Sequence, residues 1–177
     1  EQAIKIREGF GKGSKKEKML LEHTSVNPNA SPHVGRTRNS LIGDSIKKIL
    51  EFHGHKVETH YYVNDVSKQI AMLALNFKPS DKFGKLLEKY VEISSKLKEN
   101  PDLEKKVFLL LHKFEHKDKK TIALFKRIVD TAVKGQKEIF SSLGIEFDYF
   151  DYESKYLGEQ KEILKQLEAT GKLFKDD

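Results

Sequence analysis

A chain of 177 residues is long enough for one ordinary hydrophobic core and a small second unit. It has no cysteine, which removes disulfides, thiolate-ligated zinc and thiol catalysis together and fits a reducing compartment, so a cytoplasmic location is expected. The excess of 33 Lys and Arg over 27 Asp and Glu is too mild to name a polyanion partner, and no apolar run approaches the roughly 18 residues of a membrane span.

Glu1 to Gly13 carries one short apolar pattern, Ile4, Ile6 and Phe10, without a signal-peptide core, and leads into a basic loop from Gly11 to Lys16. Lys18 to Thr24 predicts a strand. Ser25, Asn27, Pro28 and Asn29 predict a turn, because a helix would not tolerate that composition. Ser31 then reads as an N-cap and Pro32 as the first helical residue: the Ser oxygen can accept a free backbone N–H, and proline has none to leave unpaired. The helix runs to about His53, with Val34, Leu41, Ile42, Ile46, Ile49 and Leu50 mostly on one face, and Gly54 can end it at positive φ. Val57 to Val63 alternates as a second strand, parallel to the first by a right-handed crossover.

Asp65 is placed to cap a helix from Val66 to about Leu75. Three long amphipathic helices follow. Phe83, Leu87, Tyr90 and Ile93 mark the first, Val107, Leu110 and Phe114 the second after Asn100-Pro101, and Phe125, Val129 and Ala132 the third, which Gly144 closes. Ile145 to Tyr152 predicts a strand, and Gly158 to Thr170 a last helix stopped at Gly171.

The strand, polar turn and helix between Glu22 and Asp65 form a βαβ unit, and its helix N-terminus is a place for a phosphate. His33 and Arg36, three apart, are predicted on one face of the first turn near the positive end of the dipole, with Gly35 leaving a gap for a flat ring. An imidazole, a guanidinium and free N–H groups would suit ATP phosphates; the plainer reading is a solvated first turn that binds nothing. His23, His53, His55 and His60 have no metal-ligand spacing, so no protein metal site is expected.

His33-Val34-Gly35-Arg36 resembles the HIGH signature of class I aminoacyl-tRNA synthetases. The blocks Glu22-x-x-Ser25-x-Asn27-Pro28, Arg38-Asn39-x-x-Ile42-Gly43-Asp44, Tyr62-x-Asn64-Asp65-x-x-x-Gln69, and Leu143 through Ser154 resemble the arginyl-tRNA synthetase family in particular. The resemblance implies an α/β fold: the first, HIGH-motif half of a Rossmann-type parallel sheet with a helical insertion. It implies ATP held at His33, Gly35 and Arg36, with His33 and Arg36 acting on the phosphates, and Mg2+ arriving with ATP. By the same resemblance Ser25 and Asn27 would hold the backbone groups of L-arginine and Glu22 would help with its guanidinium, before transfer of the arginyl group to tRNA(Arg). Two positions depart from the pattern: Arg36 stands where the signature ends in His, and Ala30 where many members carry Lys.

The domains expected are residues 1–75 as the first βαβ unit, 76–144 as the helical insertion, and 145–177 as a strand and helix beginning the connective region, with the downstream half of the enzyme absent. Such a fragment is expected to bind ATP weakly, not to aminoacylate, and to self-associate through its unpaired edge. The alternative is a non-catalytic synthetase-like paralogue acting as an RNA-binding or assembly module.

Overall fold

The computed structural model describes residue 5 and residues 7–173; Ile4 and Ile6 lie outside the described residues. Three strands, β1 (Lys18–Glu22), β2 (Lys56–Val63) and β3 (Tyr149–Tyr152), form one sheet in the order β1-β2-β3. Both pairings are parallel, with Glu22 opposite His60 and Val63 opposite Tyr152, so the predicted βαβ unit is present. Among the described residues six α-helices accompany the sheet: α1 (Val34–Phe52), α2 (Lys68–Ala74), α3 (Phe83–Glu99), α4 (Pro101–Glu115), α5 (Lys119–Ser142) and α6 (Gln160–Ala169). Among the described residues no helix is long and apolar enough to cross a membrane.

Strand periodicity places the core. Val57, Thr59, Tyr61 and Val63 alternate inward along β2, and Tyr61 is 1% exposed at its centre. Its ring stacks on Phe150 with centroids 5.0 Å apart and meets Phe147 edge-on at the same distance. This aromatic group runs without a break into Ile70, Leu73, Val107, Phe125, Ile128 and Phe140, and α2 packs against α3, α4 and α5. Strand and helices therefore share a single core.

Three boundaries differ from the sequence expectation. Asp65 does not cap α2; Ser67 does, accepting from the Ile70 N–H, while Asp65 accepts from the Ser154 N–H at 2.8 Å and ties the exit of β3 to that of β2. β3 begins at Tyr149 instead of Ile145, because the Asp148 carboxylate takes the Thr59 N–H at 2.8 Å, a bond the ladder would otherwise use. Helix α1 begins at Val34 and Ser31 is not its cap: His33, with extended backbone (φ −79°, ψ 169°), is the N-cap residue, so Ser31 lies two residues ahead of the cap.

Helix α1 also turns the opposite way from an ordinary amphipathic helix. Its buried residues are Ser40, Gly43 and Asp44, whereas Leu41, Ile42, Ile46 and Ile49 are exposed, Ile49 by 59%. Gly43 allows the close approach to the β1 exit, since a Cβ there would lie 2.3 Å from Cγ of His23.

Candidate functional site

In an open parallel sheet, ligands sit beyond the C-terminal ends of the strands, and the sequence-predicted residues gather there. The chain leaves β1 through Thr24 and Ser25, both in the left-handed region (φ 76° and 41°), at a cost of about 1–3 kcal/mol each. Side chains from four elements hold this turn. Thr24 Oγ1 donates to Ser40 Oγ of α1 (3.0 Å). Ser25 Oγ donates to Glu22 Oε1 (2.5 Å) and accepts from the Tyr62 N–H of β2 (3.0 Å). Asn27 Nδ2 donates to Gln69 Oε1 of α2 (3.0 Å), which uses one of its two N–H groups and fixes which way the amide points. Gln136 of α5 donates to the carbonyls of Asn27 and Ala30. Glu22 and Ser25 are thus joined directly, while Asn27 is held two residues further on by α2 and α5.

The start of α1 breaks the rules of a stable helix terminus. No side chain accepts from its first-turn amides, and that turn has no acidic residue. It carries Arg36, with Arg38 close behind, and His33 stands at the N-cap; all three side chains are exposed. Cations at the positive end of the macrodipole cost about 0.3–1 kcal/mol each, a cost that a bound anion reverses. His33 and Arg36 do not both project from the first turn, because His33 precedes it. The imidazole instead lies over Gly35, where a Cβ would come within 3.2 Å of His33 Cε1. The flat space expected at Gly35 is filled by the ring of His33 itself.

Opposite in charge are the three strand exits. Glu22 ends β1, Asp65 lies two residues beyond β2, and Glu153 directly follows β3. The hydroxyl of Tyr62, on β2 between the two outer strands, is pushed up by partial burial and then by Glu153, Asp65, Tyr156 and Glu22. Burial and the charge of Asp65 also raise the Glu153 carboxyl above the ordinary glutamate range. Sequence reasoning singled out Glu22 and treated Asp65 as a cap and Glu153 as part of a matched block. Their shared position just after a predicted strand was the available signal.

Two other histidines serve the fold. His23 is half-buried against Phe147 (4.8 Å), and that burial lowers its pKa. His60 pairs with Asp151 across β2 and β3. Among the described residues no three metal-ligating side chains come together. A cavity of about 340 Å³ between α4, α5 and β3 is lined mostly by apolar residues such as Phe114, Phe125 and Val129, and shares only Asp65 with the carboxylate cluster.

A family profile described as tRNA synthetases class I (R), catalytic domain, matches residues 3–177. An arginine–tRNA ligase of Methanocaldococcus jannaschii is 39% identical over the whole of this chain, which covers 34% of that protein, so the chain spans about a third of the relative's length. The arginyl-tRNA synthetase of Thermus thermophilus superimposes with a TM-score of 0.69 at 25% identity, covering 96% of this chain and 30% of that one. That of Plasmodium falciparum superimposes with a TM-score of 0.73 at 22% identity, covering 97% and 30%.

Proposed function

The chain belongs to the class I arginyl-tRNA synthetase catalytic-domain family, and from that membership we propose that it forms the ATP-phosphate and amino-acid half of an arginine–tRNA ligase site. The observation that carries the reading is the charge division at this end of the sheet: an uncapped helix start bearing His33 and Arg36, and the carboxylates of Glu22, Asp65 and Glu153 at the exits of the three strands. One side suits a triphosphate and the other a guanidinium.

In this reading the amides of α1, His33 and Arg36 hold the phosphates, and Gly35 lies under the nucleotide once the imidazole of His33 swings off it. Ser25 and Asn27 hold the α-amino and carboxylate groups of L-arginine, and Glu22 takes part in binding its guanidinium. The arginine carboxylate oxygen attacks the α-phosphorus, the bond to the β-phosphate oxygen breaks and pyrophosphate leaves. A terminal ribose hydroxyl of tRNA(Arg) then attacks the arginyl carbonyl and releases AMP. No protein nucleophile is required; the residues position the reactants and balance charge. Mg2+ enters on the phosphates. The division of residues 1–75, 76–144 and 145–177 into βαβ unit, insertion and connective segment belongs to the same proposal, as do a cytoplasmic location and self-association through the exposed apolar face of α1.

The test is a titration of the 15N-labelled chain with ATP, L-arginine, L-lysine and L-citrulline. ATP is expected to shift the amides of Val34 to Arg36, and arginine those of Ser25 and Asn27 more strongly than lysine or the uncharged citrulline. Arginine affinity should fall as the pH is lowered toward the carboxylate range, because burial and Asp65 make the Glu153 carboxyl take up its proton earlier than an ordinary glutamate and cancel part of the negative charge. Equal responses to arginine and citrulline would remove the guanidinium site.

A further inference from the structure

Gln136 is a polar residue in an apolar place. It is 1% exposed on α5, on the face that also buries Ala132, Val133 and Phe140. A buried primary amide is costly unless its donors and acceptor are all matched. Here both donors are matched: Nε2 donates to the carbonyls of Asn27 (3.0 Å) and Ala30 (2.9 Å), and Oε1 lies 3.0 Å from the Tyr61 hydroxyl, whose single hydrogen it shares with the Val26 carbonyl, also at 3.0 Å. The Tyr61 oxygen in turn accepts from the Val26 N–H at 3.0 Å. Two side chains, one from β2 and one from α5, therefore fix three backbone positions between Val26 and Ala30.

The segment so fixed begins where the chain is strained at Thr24 and Ser25, and it contains Asn27. The start of α1 has its own support: the His33 carbonyl accepts from the Arg36 and Thr37 N–H groups, and Ser40 holds Thr24. The clamp thus acts on the amino-acid half of the site more than on the phosphate half. We propose that Gln136 is a positioning residue for arginine binding, through which the helical insertion sets the placement of Ser25 and Asn27. This inference rests on the functional reading above.

Two variants separate positioning from general stability. Gln136→Met keeps the volume and removes the hydrogen bonds, and Gln136→Asn stays polar but is too short to reach both carbonyls. Ile128→Val, a buried change on the same helix that does not touch the loop, is the control. In NMR titrations under conditions where all three proteins are folded, both Gln136 variants should bind arginine at least tenfold more weakly, with ATP affinity within twofold of the parent. Ile128→Val should bind both ligands like the parent despite a lower Tm. Unchanged arginine affinity in either folded Gln136 variant, or parallel loss of arginine and ATP, would overturn the positioning role. If the parent itself shows no arginine response at Ser25 and Asn27, the functional reading fails and this inference fails with it.

Discussion

Helices α1 and α5 have comparable lengths, 19 and 24 residues, and opposite designs. α5 starts at Asp118, whose carboxylate accepts from the Thr121 N–H at 2.8 Å, and it buries Phe125, Ile128, Val129, Ala132, Val133 and Phe140 against the shared core. α1 starts without a cap, places cations at its positive end, buries polar residues and exposes aliphatic ones. A helix that satisfies local rules contributes stability; one that violates several at once marks where stability has been given up for binding. The contrast also explains why Gln136 stands out: it is a polar side chain buried deep within α5, away from the capped first turn, and it reaches the loop that leads into α1.

The largest expected effect lies on α5. Phe125 is fully buried and stacked on Phe114 with centroids 5.1 Å apart, so Phe125→Ala should cost about 3–5 kcal/mol in urea unfolding. A loss under about 1 kcal/mol would mean that α5 does not carry the core in the way argued. The smallest lies on the outer face of α1. Ile46→Lys should change stability by no more than about 0.5 kcal/mol, because Ile46 is already exposed, while raising the concentration at which the chain self-associates in sedimentation velocity. A large destabilisation would show that this face packs inward after all.

Much of this organisation was legible from residues alone. The hydrophobic period located α3, α4 and α5, alternation located β2, and Gly54 and Gly144 stopped their helices as backbone chemistry dictates. What failed to read correctly was decided by tertiary partners. Asp65 has the right chemistry for a cap, but the Ser154 N–H claims it. Ile145 to Asp148 has strand-like composition, but the Asp148 carboxylate ends the ladder at Thr59. Ser31-Pro32 has cap chemistry, but the chain turns into the helix only after His33, which is extended at the N-cap. At the site, the basic half was visible as the spacing of His33 and Arg36. The acidic half assembles only when three strand exits meet, and its members are far apart in sequence.

The central claim, that the start of α1 is built for an anion at the expense of stability, is tested most directly by His33→Asp. The backbone at this N-cap position already has the extended conformation that a capping carboxylate needs. The substitution should raise the unfolding free energy by about 1 kcal/mol through capping and the dipole. In the same samples, ATP affinity measured by NMR titration should fall at least tenfold. A variant that is no more stable than the parent, or one that still binds ATP equally well, would contradict the account.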